Sequence, residues 1–336
     1  MLKKIKEMLP DPTRFRIRFT RNFHRYFRDF YYDFVQYTKY SASVYPAGSK
    51  LNLQSLIIIW YHALEKGLAL KNPRKDFGIK KSDVLVDYLE KYVDRYGYDT
   101  IVVISLNVLQ KYREFQTSHG ITRDEFAARL SVLRDNIPEP YRSEDRGGPI
   151  PVDRETIWKS AKIDFEGFAK SRYSVRQYSG DPVDDDLIKR AVTMAMKTPS
   201  VCNRQATKVY MIRDDQLRKT MLRLQMGNKG FGEDADKLLL ITSELRYFVQ
   251  SGERREPYIG GGMFAMSLIY ALHSLGLGTC CLNLSQSCQL ETKIKKAAGI
   301  SDSEVLIMLI AVGHIPAELS VAASPRRDIQ EILTVR

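Results

Sequence analysis

The sequence has little of what most readily gives a protein away. Its 336 residues hold only 4 cysteines, Cys202, Cys280, Cys281 and Cys288, with no C-x-x-C spacing. That removes the usual zinc frameworks, and the adjacent Cys280-Cys281 pair, with apolar neighbours, reads as buried free thiols. The 5 histidines are scattered. H-E-x-x-H, G-x-S-x-G and Walker A patterns are all missing, so metallopeptidase, hydrolase and P-loop readings lose their support and no metal site is expected. No apolar run approaches the ~18 residues needed to span a bilayer. The longest tight one, Leu56 to Trp60, is core-sized. Lys3, Lys4, Lys6 and Glu7 interrupt any signal-peptide stretch, which points to a cytoplasmic protein.

What is present is a globular composition, 44% hydrophobic and 27% charged, with a formal net charge of +12. Such a charge suits nucleic acid, an anionic membrane surface or acidic substrates. Much of it sits at the front, where ten basic residues face four acidic ones between Lys3 and Lys39. Phe19, Phe23, Phe27, Phe30 and Phe34 recur at helical spacing, with Phe15, Tyr26 and Tyr31 interleaved. Arg14, Arg18, Arg21, Arg25 and Arg28 line another part of the same helix. This stripe either docks on the rest of the protein or lies on a membrane interface, giving a possible peripheral membrane contact through residues 1–40. No compact nucleic-acid motif accompanies it, so nucleic acid is not expected as a partner.

Residues 1–45 therefore read as a basic aromatic helix and 46–142 as a helical region. In the latter, the apolar face from Leu53 to Leu64 ends at a glycine stop, Gly67, and further helices run over Val84–Tyr96 and Ile101–Phe115. Thr122 is a candidate cap for another. His62 and Glu65, one turn apart, form either a paired site or a satisfied core histidine. Residues 143–160 are a Gly/Pro/charge-rich linker, and 161–336 form a second domain. There, helices over Asp184–Met196, Gln216–Met226 and Met263–Leu275 alternate with strands over Lys208–Arg213, Lys237–Thr242 and Val305–Val312. The fold class expected is α+β, a central mixed sheet flanked by helices, preceded by a mainly helical region.

Two motifs carry chemistry. In Arg172-Tyr-Ser174-Val-Arg176, two guanidinium groups and a hydroxyl sit at alternate positions, so in an extended segment they share a face and can grip one phosphate. About one helix later, Pro199-Ser200-Val-Cys-Asn203-Arg-Gln205 is a turn presenting amides, which donate and accept along the edge of a heterocycle. A phosphate clamp plus an amide reader suggests a phosphorylated ring cofactor.

In order and spacing these motifs resemble the nitroreductase family, over about residues 165–336. The resemblance implies an FMN cofactor, with Arg172 and Ser174 at the phosphate and ribityl end and Arg176 near the pyrimidine edge, where a cation stabilises charge on reduction. It gives Pro199, Ser200, Asn203 and Gln205 to the isoalloxazine, although Ala206-Thr207 stands where the family often has Pro-Trp. Gly260-Gly261-Gly262 leads into an apolar helix that in the family forms much of a homodimer interface. Leu282 and Asn283 would cover one flavin face, with a backbone N–H near N5. Arg326 or Arg327 would reach the phosphate. The Tyr61-to-Leu68 stretch with Phe77-Gly78 looks like an N-terminal extension found on some nitroreductase-like proteins associated with surface-polysaccharide loci.

The implied activity is FMN-dependent NAD(P)H oxidation by a ping-pong scheme through flavin N5, to a small, planar or anionic acceptor, with no catalytic residue on the protein. Asn228, Lys229 and Phe231, in a Gly-rich loop, and Tyr247, Arg254 and Tyr258, in the family's lid region, are candidate substrate contacts. Two rival readings remain. One is a flavin-binding or interaction protein with little turnover, held at a membrane surface or partner by its N-terminus. The other is a nucleotide-binding module without flavin.

Overall fold

The computed structural model describes residues 11–336. Residues 1–10, and the side chains of Arg14, Phe15, Arg18 and Arg21, lie outside the described residues. The chain opens with a long helix, α1 (Asp11–Tyr40), and a helical body follows: α2 (Lys50–Leu68), α3 (Ile79–Tyr96), α4 (Thr100–Ser118), α5 (Asp124–Asp135) and α6 (Glu139–Arg142). Capping fixes the helix starts. The Ser49 hydroxyl accepts the Asn52 N–H at 3.2 Å, and the Asp99 carboxylate accepts those of Ile101 and Val102. Thr122, expected as a cap, is displaced by Arg123, which occupies the N-cap position of α5 without a side-chain bond. Leu53, Ile57, Leu64, Leu85, Leu89, Leu106, Leu109 and Leu130 are fully buried in one core.

Gly67 is not a helix stop, since α2 continues to Leu68. The glycine is a gap instead: a Cβ there would lie 2.1 Å from Phe77 Cε2. Phe77 fills that gap and meets Tyr112 and Phe115 edge-on, at 5.3 and 5.4 Å between ring centres. Gly78, next in sequence, has φ +75° and would push a Cβ to 2.7 Å from Leu64. The Gly67 and Phe77-Gly78 pattern is thus one packing joint between α2 and α4.

The segment after α6 is irregular only as far as Asp153, since residues 154–160 of the expected linker are helical, and its first half is strapped down. Asn107 donates to the carbonyls of Glu144 (2.8 Å) and Arg146 (3.1 Å), and Gly148 N–H donates to Glu65 Oε1 at 2.8 Å. His62 Nδ1 lies 3.4 Å from the other Glu65 oxygen, so this pair holds the strap. The helix α7 (Arg154–Ala161) and the short α8 (Phe165–Lys170) lead on.

The second domain runs α9 (Asp185–Ala195), β1 (Thr207–Ile212), α10 (Asp215–Leu224), β2 (Lys237–Glu244), α11 (Glu256–Ser274), β3 (Leu277–Asn283), α12 (Cys288–Ala298) and β4 (Glu304–His314). Its sheet has the order β1-β2-β4-β3 with antiparallel neighbours, and a parallel bridge joins Ser174 to Thr279. Alternation along the strands sorts their side chains. Leu239, Ile241, Ile310 and Val312 pack toward α9 and α11, while Leu238, Leu240, Leu309 and Ala311 pack against residues of α10 and α12. The class is α+β, as the sequence pattern indicates.

The three glycines expected to precede the apolar helix lie inside α11, which starts at Glu256 with Pro257 in its first turn. Close packing accounts for the middle one, because a Cβ on Gly261 would lie 2.7 Å from Ile307. The aromatic stripe of α1 does not dock. Phe23, Phe27, Phe30 and Phe34 are all exposed, and another face is used. Asp29 accepts the Cys288 N–H at 3.3 Å, standing in for Ser287, the N-cap of α12, which makes no cap bond of its own. Lys295 reaches Tyr32 at 3.3 Å, and Tyr37 donates to the Gln250 carbonyl.

Gly67→Ala must displace the Phe77 ring, so it should destabilise the protein by roughly 1–3 kcal/mol. Denaturant unfolding of the purified variant checks this. An unchanged midpoint would mean that the joint is not tight.

Candidate functional site

The Arg172–Arg176 segment is extended, as its spacing requires. Val175 donates its N–H to the Thr279 carbonyl at 2.9 Å and buries its side chain. Gly278 makes the approach possible, since a Cβ there would sit 2.9 Å from Val175. With Val175 turned inward, Ser174 and Arg176 face the other way. Arg172, Ser174 and Arg176 line a cavity of about 540 Å³ whose opposite wall is the tail from Ala322 to Arg326. Lys170, Arg172, Arg176 and Arg326 contribute cations to it and no carboxylate does. Arg326 donates to the Ser324 carbonyl. Arg327 lies outside the lining, with its guanidinium 4.0 Å from Glu331.

The second motif is a strained turn. Cys202, Asn203 and Gln205 have φ of 49°, 56° and 50°, an uncommon conformation for side chains with a Cβ. The Ser200 hydroxyl holds it by accepting the Gln205 N–H at 3.0 Å. Asn203 and Gln205 are exposed, and Pro199, Ser200 and Gln205 line a cavity of about 270 Å³ with Met196, Gly260 and Phe264.

Within one chain these motifs are not brought together. Ser174 bridges to β3 at one edge of the sheet, and Gln205 leads into β1 at the other. Three strand spacings separate those edges, about 14 Å. Thr279 is level with Val312 on β4, while Thr207 is level, through Ser243, with Val305. That adds roughly 24 Å along the strands. The two cavities share no lining residue.

The other predicted contacts divide in the same way. Phe231 lies beside the first motif, with the Arg176 guanidinium 5.7 Å from its ring centre. Lys229 is exposed next to it. Asn228 is buried and spends its amide on the Leu222 carbonyl at 2.7 Å and on Gln225, so it staples the loop rather than facing a substrate. Leu282 is buried in the sheet core, and Asn283 is exposed, its carbonyl accepting from Gln225. Tyr247 does not belong to an open lid, because its ring packs on the core of the helical body. Arg254 is exposed. Tyr258, on the first turns of α11, is half exposed, and burial together with Asp33, Glu291 and Tyr32 pushes its hydroxyl above the usual range.

The sequence reading passed over Arg204, between Asn203 and Gln205. Its side chain is almost wholly buried. It grips Glu253 with two nitrogens, at 2.6 and 3.0 Å, and donates to the carbonyls of Tyr247 (2.7 Å) and Val201 (3.1 Å). Glu253 also accepts the Val249 N–H at 2.7 Å. The helical body holds the same stretch from its other side: Ser55 donates to the Tyr247 carbonyl at 2.7 Å, and Asn52 to that of Arg246 at 3.0 Å. An arginine set inside a turn of site residues was the only hint of this in the sequence.

Residues 169–229 and 218–314 match the family model described as the nitroreductase family. Over that stretch the domain is similar to the nitroreductase family. An iodotyrosine deiodinase of Nematostella vectensis is 25% identical over 248 residues, covering 65% of this chain and 90% of that protein. An NADH dehydrogenase of Thermus thermophilus is 26% identical over 83 residues, 25% of this chain and 40% of that protein. Among solved structures, an FMN-dependent nitroreductase from Clostridium difficile R20291 has 16% identity and a TM-score of 0.44, covering 51% of this chain and 99% of that one.

Glu253→Gln leaves the Arg204 charge buried without its counterion and should cost about 3–5 kcal/mol. Burial pushes the Glu253 carboxyl up, but the Arg204 hydrogen bonds and the Val249 N–H outweigh it, and the net shift is downward. The pair's contribution is therefore complete above the ordinary carboxylate range, about pH 4–5, and is lost as pH falls through the lowered folded value. Melting temperatures of the two proteins should converge on acidification. A gap that stays constant down to pH 3 would contradict the assignment.

Proposed function

We propose that this chain is an FMN-dependent oxidoreductase whose cofactor site is completed by two copies of the chain. The observation that carries the reading is the cluster of Arg172, Arg176 and Arg326 around one cavity with no carboxylate to neutralise it. Such a cradle fits a phosphate, which accepts from guanidinium groups bidentately. The amide turn fits a ring edge, and its strain is of the kind that persists where a geometry is needed.

The placement of these halves supports a homodimer. The phosphate corner of one copy and the amide corner of its partner would meet in one site, and two-fold symmetry would make two such sites. Helix α11 supports this. It buries Pro257, Gly261, Ala265, Leu268 and Leu272 but leaves Ile259 and Met263 about half exposed, beside the cavity of the amide turn. Apolar residues on that face call for a partner.

The chemistry FMN supplies when bound is electron transfer from NADH or NADPH to an acceptor, in two half-reactions at one open face. The chain's part is placement. Arg172, Ser174 and either Arg326 or Arg327 hold the phosphate, Arg176 sets a positive field, and Pro199, Ser200, Asn203 and Gln205 fix the ring. Leu282 and Asn283 wall one side with backbone. Lys229, Phe231, Arg254 and Tyr258 offer cations and rings to a small planar or anionic acceptor. The likeness to an iodotyrosine deiodinase places iodinated phenols in the acceptor panel beside nitroaromatics and quinones.

The purified protein should take up FMN, show a band near ~450 nm and bleach when NADH or NADPH is added without oxygen. Arg172→Ala/Arg176→Ala removes two charge-assisted contacts and should weaken FMN binding at least about 100-fold. Binding that does not bleach would favour a flavin-binding protein with little turnover. Failure to bind FMN would overturn the proposal.

A further inference from the structure

Helix α1 carries a surface that neither the fold nor the proposed cofactor site uses. Phe19, Phe23, Phe27, Tyr31 and Phe34 form a ladder of neighbouring rings with centres 5.9–6.5 Å apart. Phe30 lies among them at 71% exposure. At 3.6 residues per turn these positions cover a sector of about 120°. The residues through which α1 docks, Asp29, Tyr32, Asp33 and Tyr37, are centred roughly 120° away on the same count. The ladder therefore points away from the rest of the protein, and its first tertiary hydrogen bond among the described residues is at Asp29.

Charge is sorted in the same direction. The two acids in the second half of α1, Asp29 and Asp33, lie in the docked sector. Among the arginines whose side chains are described, Arg25 and Arg28 centre about 160° from the rings, and Arg16 falls in the aromatic sector. No acid shares that sector. A long helix of low mean hydropathy, with an exposed aromatic face and seven basic residues against three acidic ones in its sequence, has the form of an interfacial helix. Phenylalanine and tyrosine suit the headgroup boundary, where rings find an apolar environment and hydroxyls stay wet. No helix among the described residues is long and apolar enough to cross a membrane, so the contact would be peripheral.

We propose that the aromatic face of α1 binds an anionic lipid surface, with its rings in the headgroup layer and its arginines drawn to the lipid charge. The proposal is independent of the cofactor assignment. The full chain should co-sediment with vesicles of phosphatidylcholine and phosphatidylglycerol but not with phosphatidylcholine alone, and salt should weaken the binding. Phe27→Ser/Phe30→Ser/Phe34→Ser removes only exposed rings, so its melting temperature should match wild type while its vesicle affinity falls at least about tenfold. Arg25→Glu should also weaken binding, with a shallower salt dependence. Wild-type protein that stays in the supernatant with anionic vesicles would overturn the proposal, as would a triple serine variant that binds equally well. A change in oligomeric mass on the triple substitution, without vesicle binding by wild type, would assign the face to a second copy instead.

Discussion

The buried pair of Arg204 and Glu253 is the constraint on which the arrangement of this molecule depends. Arg204 belongs to the amide turn, and Glu253 to the segment that enters α11. Between them the arginine also holds the Tyr247 carbonyl, which Ser55 of α2 grips from the helical body. One ion pair thus ties together the strained turn, the start of the apolar helix and the N-terminal region. Breaking it leaves an uncompensated charge in an apolar setting, and that penalty makes the geometry rigid. A turn with three side-chain-bearing residues at positive φ needs such a brace, because its own backbone favours relaxing. The helical region is for this reason part of the site's support rather than an appendage to it.

Much of the second domain was legible in the sequence because its signals are local. Alternation marks Lys208–Arg213 as a strand, continuous apolar runs mark Lys237–Thr242 and Val305–Val312 as buried ones, and alternate positions in R-x-S-x-R share a face when the segment is extended. What was not legible depended on contacts distant in sequence. Gly67 looked like a stop, since only the fold reveals that Phe77 occupies the space of its missing side chain. Gly260 to Gly262 looked like the approach to the apolar helix, since only the sheet reveals Ile307 beside Gly261. Asn228 and Tyr247 looked like surface groups because nothing nearby in sequence tells that one staples its own loop and the other packs on a different core. The buried carboxylates Glu244 and Glu304 are of the same kind. Lys208 reaches both, Arg246 pairs with Glu244, and Tyr210 and Thr242 bond Glu304.

The separation of the two cofactor motifs could not be read from their spacing. Twenty-odd residues look close on paper, yet one helix and a turn carry the chain from one edge strand to the diagonal corner of the sheet. A domain with its arginine-lined cavity at one corner and its amide turn at the other has the geometry that the proposed two-chain site requires. The apolar residues left on α11 lie beside the second half. The proposed two-chain site accounts for both.

Complementation between variants tests that account most directly. Arg172→Ala/Arg176→Ala and Asn203→Ala/Gln205→Ala, each expected to bind FMN poorly alone, would be mixed and allowed to exchange subunits. If the motifs act across two copies, each mixed dimer has one intact site, and the sample should recover about a quarter of the wild-type flavin content. If both motifs serve one flavin within a chain, every site in the mixture remains damaged, and no recovery would contradict the account.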